Sequence, residues 1–143
     1  MAAFTLNSET NKTESTLKSL FLFLSDFKNF ASILPNDKVE GFTYSEDQCS
    51  FTIKGITPMT VKLEEKIPFQ SILFTSQGLG KFNFTLKAFF IGDQDAKGEC
   101  RIEMGGDLNP VILGMAKNSL QQLINTMSQK LAALREEELQ SKV

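Results

Sequence analysis

Residues 105–134 read GGDLNPVILGMAKNSLQQLINTMSQKLAAL. From Ile112 to Leu134 the apolar side chains fall at Leu113, Ala116, Leu120, Leu123, Ile124, Met127, Leu131 and Leu134. Steps of three and four place them all on one face of a helix. Asn109 is a good N-cap residue and Pro110 suits the first helical position, so the start of the helix is chemically marked. At ~1.5 Å per residue, a helix of about 25 residues is as long as a small domain is wide. It needs a broad apolar surface to lie on.

The preceding residues supply that surface. Phe4 and Leu6 alternate with Thr5 and Asn7, predicting a first strand over residues 3–10. Thr13 can cap a helix with the stripe Leu17, Leu20, Phe21 and Leu24, Glu14 and Lys18 pairing on its outer side. After Ser25-Asp26, a second short helix carries Phe27, Phe30, Ile33 and Leu34 and is closed by Pro35. The period then changes from 3.6 to 2. Strands are expected over Val39 to Tyr44, around Cys49, Phe51 and Ile53, and around Met59, Val61 and Leu63. Three more follow: Gln70 to Thr75 with Ile72 and Phe74 inward, then Phe82 to Phe90, then a strand carrying Cys100, Ile102 and Met104. Short turns between successive strands imply an antiparallel meander with one apolar face. The expected fold is α+β: a curved antiparallel sheet of about seven strands, two short helices, and one long C-terminal helix packed across the sheet.

Phe23-Leu24-Ser25-Asp26-Phe27-Lys28-Asn29-Phe30 with Leu34-Pro35, Cys49-Ser50-Phe51-Thr52-Ile53-Lys54-Gly55, and Asp107-Leu108-Asn109-Pro110 before the helix carry a resemblance. In this order the chain resembles the START-like, Bet v 1-like superfamily, also called SRPBCC or helix-grip proteins. It is most similar to small bacterial members labelled polyketide cyclase-like. The resemblance covers residues 1–143 as a single START-like domain with a fraying tail over 136–143. It implies a deep cavity between sheet and helix for lipids, sterols, polyketides or quinones, and the superfamily includes both enzymes and carriers. The turn from Ser45 to Gln48 has no glycine, unlike the glycine-rich loop of the plant allergens, so a phosphate-related role is not implied.

Composition narrows the function. The chain has 13 Phe, one Tyr and no Trp, and Phe has no polar handle, so dry interior surface is expected. A net charge of -2 with scattered Lys and Arg gives no nucleic-acid footprint. Leu20 to Leu24 is too short an apolar run to span a bilayer, and the absence of a secretory signal points to the cytoplasm. Cys49 and Cys100 then read as reduced, buried thiols, and the two N-x-T sequons as chance matches. Monomer and homodimer both stay open.

The chain contains no His, which removes the commonest general base and metal ligand. No ligand spacing for a metal is present. Asp93 to Gly98 begins like a calcium loop but has Lys97 and Met104 where ligands are needed, so it reads as a hairpin turn. Gly78-Leu79-Gly80-Lys81 sits between strands and reads as a loop. The reading is therefore a binder of a small hydrophobic molecule, with no cofactor, no metal and no assigned catalytic residue. Inward strand positions line the expected cavity: Cys49, Phe51, Ile53, Val61, Leu63, Ile72, Phe74, Phe82, Phe84, Leu86, Cys100, Ile102 and Met104. Phe30 and the helix residues Ile112, Met115, Ala116 and Leu120 complete the wall, and Tyr44, Asp107 and Asn109 are the polar candidates. A metal-independent cyclase or dehydratase, with an inward acid such as Glu65, is the first alternative. A protein-interaction module with a filled core is the second.

Overall fold

The computed structural model describes residues 2–55, 57–78 and 83–141. In chain order it contains β1 (Ala2–Asn7), β2 (Asn11–Thr16), α1 (Leu17–Leu24), a 3-10 helix (Phe27–Ile33), β3 (Val39–Tyr44) and β4 (Gln48–Ile53). These are followed by β5 (Thr57–Ile67), β6 (Ser71–Gly78), β7 (Asn83–Ile91), β8 (Lys97–Leu108), α2 (Pro110–Ala133) and α3 (Glu136–Ser141). All strand pairs are antiparallel in the order β1-β8-β7-β6-β5-β4-β3, with β2 also paired to β8. The architecture is α+β, as the sequence predicts, with the meander from β3 to β8 in the expected order.

The N-terminal segment differs from its expectation. One strand and an early helix were predicted; instead β1 and β2 occupy successive stretches of one edge of β8, and α1 begins four residues after Thr13. Thr16, not Thr13, is the N-cap, its Oγ1 accepting from the Ser19 N–H. Glu14 lies in β2, so no Glu14–Lys18 helical pair forms. The physical reason is that β2 buries polar side chains. The Thr13 hydroxyl accepts from the Gly98 N–H and donates to the Ser15 carbonyl, while the Ser15 hydroxyl donates to the Leu134 carbonyl. Buried hydroxyls satisfied this way leave no apolar alternation to read.

The core is Phe-rich. Phe30 stacks on Phe51 at 6.3 Å between ring centroids and meets Phe74 edge-on at 5.3 Å; Phe27 also reaches Phe74. Asp26 caps the 3-10 helix by accepting from the Lys28 N–H. In the β5–β6 turn, Phe69 has a φ of 61°, a left-handed conformation that costs a non-glycine residue of order 1 kcal/mol or more. Its ring is held edge-on against Phe21 at 5.3 Å. Close strand approach explains Gly106, where an added Cβ would lie 2.5 Å from the Asn83 carbonyl oxygen.

α2 crosses this core and is held differently along its length. Leu120, Leu123, Ile124, Met127 and Leu131 are buried against β8, β2 and the 3-10 helix. A polar clamp fastens the same half to the β1–β2 connection. Gln121 donates to the Asn7 carbonyl, Asn125 accepts from the Glu9 N–H, and Ser128 Oγ accepts from Asn11 Nδ2. Lys130 donates to the Leu34 carbonyl. The first turns bury only Ala116 well, and Val111 and Met115 are exposed. Residues 136–141, expected as part of a fraying end, form α3 with Leu139 buried and Glu136 accepting from the Thr16 N–H.

Truncation should separate these two kinds of fastening. Ile124→Ala is expected to cost about 2–5 kcal/mol of unfolding free energy in urea. Ser128→Ala, which removes the hydroxyl's bonds with the Asn11 amide and the Glu9 carbonyl, should cost about 1–2 kcal/mol. Losses below 0.5 kcal/mol for both would contradict this seating of α2.

Candidate ligand-binding site

The concave face of the sheet presents continuous apolar rows. Cross-strand register aligns Cys49 with Val61, Val61 with Ser76, Ser76 with Phe84 and Phe84 with Gly106. A neighbouring row runs from Leu63 through Phe74 and Leu86 to Met104 and Leu6. Ser50 and Thr60 bond to each other on the opposite face, which fixes the phase of β4 and β5. Strand alternation alone therefore brings most of the expected residues to one surface.

Their packing is tight. Phe30, Cys49, Phe51, Ile53, Val61, Ile72, Phe74, Phe84, Leu86, Cys100, Ile102, Met104, Ala116 and Leu120 are all at most 5% exposed. Leu63 is half-buried against them. Other expected members lie elsewhere. Tyr44 is exposed at the end of β3 beside the half-buried Phe42, ring to ring at 6.2 Å. Asp107 is exposed near the end of β8. Asn109 serves as the α2 N-cap, accepting from the Val111 N–H at 2.9 Å. Ile112 and Met115 are on the surface, Met115 being 80% exposed. Phe82 lies outside the described residues.

Met59, Leu123 and Ser76 are interior residues that the expected wall left out. Met59 shares the inward phase of Val61 and Leu63, so alternation alone could have placed it at the site. Leu123 belongs to the α2 stripe. Ser76 is the informative omission: it follows Ile72 and Phe74 in phase, is 3% exposed, and donates to the Phe84 carbonyl at 3.1 Å. It is a polar point on an otherwise dry wall.

Between α2 and the end of β4 lies a crevice of about 120 Å³. Ile53 and Leu123 form its apolar floor, and Asp37, Lys38, Lys54 and Ser119 its rim. Among the described residues, every buried side-chain donor and acceptor has a partner. Among the described residues the buried polar side chains are Ser, Thr and Asn29, and no Asp, Glu or Tyr is buried. Glu64 and Glu65 are both exposed, because the β5 register shifts between Leu63 and Glu65. Asp93 to Gly98 forms the β7–β8 turn, with Asp93 accepting from the Asp95 N–H. The interior can offer shape, dispersion contact, the Ser76 oxygen and two thiols.

Both thiols are shielded. Burial pushes Cys49 up to about 12 from 9.0. Burial also raises Cys100, to about 11, partly offset by its hydrogen bond with Ser128. A thiol that stays protonated neither ligates metal nor attacks an electrophile at neutral pH.

No family model matches the chain, and no curated protein matches it. Solved structures do. A START superfamily protein from Mycobacterium smegmatis superposes with a TM-score of 0.62 at 11% identity, covering 89% of this chain and 96% of that one. Norcoclaurine synthase from Thalictrum flavum, in complex with dopamine and hydroxybenzaldehyde, gives 0.66 at 9% identity, covering 92% and 85%. Ara h 8.0201 gives 0.55 at 9% identity, covering 91% and 98%. The chain has the START/Bet v 1-like, helix-grip fold.

In native protein at pH 8, a thiol-reactive chromophore should label neither cysteine within minutes, and unfolding should expose both. Because the folded pKa values lie above 9.0, the unfolded chain loses its thiol protons first as pH rises. The stability associated with the neutral thiols is therefore full below about pH 9 and falls as pH climbs toward 11 and 12. Urea midpoints across that range check the sign, and Cys49→Ala should flatten the decline.

Proposed function

We propose that this protein binds a small apolar or amphipathic molecule between the concave face of the sheet and α2. The crevice between Ile53 and Leu123 is the observation that carries the reading, because it sets a polar rim of Asp37, Lys38, Lys54 and Ser119 over an apolar floor. A dry wall with few polar groups is the usual composition of a site for apolar ligands. The crevice is smaller than the roughly 300–1,000 Å³ such ligands occupy, so binding requires the space to widen.

The seating of α2 supports widening at one end. Its second half is clamped, whereas its first turns expose Val111, Ile112 and Met115. Gly114 lies within those turns, with nothing within 4 Å of an added Cβ. A glycine in an exposed helix interior destabilises it by about 1 kcal/mol relative to alanine. The first turns of α2 can therefore lift at lower cost than the rest. Phe and Met side chains on the wall can then repack around a guest. Solved structures of this fold include norcoclaurine synthase with two small aromatic molecules bound, which is consistent with use of the fold for such guests. The absence of a buried carboxyl or phenol among the described residues favours binding over acid catalysis.

The filled interior and the exposed Val111, Ile112 and Met115 favour one competing reading, a protein-interaction module. Native mass spectrometry of gently purified protein, followed by solvent extraction, separates the two. A small apolar molecule that leaves on extraction supports binding. A clean unliganded mass together with no uptake of an apolar dye refutes it. Gly114→Ala should raise stability by up to about 1 kcal/mol and slow dye uptake about five-fold, without changing the final amplitude.

A further inference from the structure

On the opposite side of α1 from the sheet lies a second cleft, independent of the interior site. It has a volume of about 300 Å³ and sits between α1, the 3-10 helix and α3. Leu22, Phe23 and Leu139 form its apolar surface. Leu22 is 55% exposed, an unusual position for a leucine in a helix whose other apolar residues are all buried.

The polar part of this cleft is rich in acceptors. Glu136 is fixed in place, its Oε1 receiving the Thr16 N–H at 2.9 Å. That hydrogen bond, first among several effects, holds its pKa below the ordinary carboxylate value, so it is ionised at neutral pH. Asp26 stands on the other side, capping the 3-10 helix through the Lys28 N–H at 3.0 Å. Asn29, also on the lining, is buried and donates its side-chain amide to the Phe23 carbonyl at 3.0 Å. The carbonyl end of α1 adds partial negative charge. Among the described lining residues the cation is Lys28, whose Nζ is 3.7 Å from Asp26, and Lys97 acts on Glu136 from outside the lining.

An apolar floor bordered by two carboxylates and a helix C-terminus selects for a guest with an apolar body and a cationic head. We propose that this cleft is a binding site for small alkyl or aryl ammonium compounds, with the ammonium between Asp26 and Glu136 and the hydrocarbon on Leu22 and Phe23. Anchored acceptors lower the ordering cost of recognition. Opposite charge at close range supplies the discrimination, which is modest because the cleft is open to solvent.

Hexylamine, titrated into the folded protein at pH 7 and followed by amide chemical shifts, tests this directly. Shifts are expected at Ser19 to Asn29 and at 136–139, saturating in the millimolar range. Hexanol should bind about five-fold more weakly, and hexanoate should leave these residues unmoved. Asp26→Asn keeps the cap, and Glu136→Gln keeps an acceptor for Thr16; each should weaken hexylamine about five-fold. Leu22→Lys changes an exposed residue and puts an ammonium into the cleft, so it should abolish the shifts while leaving the fold intact. Equal binding of hexylamine and hexanoate, or shifts at Val61 and Ser76 instead, would overturn the proposal.

Discussion

The interaction on which the other elements depend is the burial of one face of α2, from Ala116 to Leu131, against β8, β2 and the 3-10 helix. At roughly 1.5–3 kcal/mol for each fully buried Leu, Ile or Met, these side chains contribute on the order of 10 kcal/mol before entropy is counted. That is comparable with the whole net stability of a domain this size. A curved sheet without this helix would leave the apolar rows of β4 to β8 in water. The 3-10 helix, with Phe27 and Phe30, closes what α2 does not reach.

The helix is fastened at one half because of where polar partners exist. The β1–β2 connection supplies the Asn7 carbonyl, the Glu9 N–H and the Asn11 amide, and these meet Gln121, Asn125 and Ser128 one turn apart. Nothing comparable holds residues 111–115. The second half of the helix is thus fastened by polar contacts that its first turns lack, where Leu113 packs in part on the core. Chemistry divides inside from outside: the apolar wall is dry apart from Ser76, and among the described residues no carboxylate is buried.

Periodicity made most of this legible. The α2 stripe, the phases of β4 to β8 and the Asn109-Pro110 cap follow from 3.6- and 2-residue spacing, and the inward strand residues named from those phases that the structure describes are buried, Leu63 only in part. Where side chains did not follow hydrophobic alternation, the reading failed. β2 buries Thr13 and Ser15 through hydrogen bonds to Gly98 and Leu134, partners some 85 and 119 residues away. Ser76 was passed over for the same reason. Ile112 and Met115 were assigned to the wall because they are apolar, yet both are exposed in the first turns of α2, Ile112 even though it shares the helical phase of Leu123.

The sequence by itself determined the α+β class, the meander from β3 to β8, the long helix and the apolar face it covers. Each of these rests on local spacing and local capping, which act within a few residues. Tertiary structure alone decided that β1 and β2 share one edge of β8, that the interior closes around Phe30 and Phe51, and that α3 docks on α1 to form a cleft. Those outcomes depend on contacts between residues far apart in the chain, whose geometry no local pattern encodes.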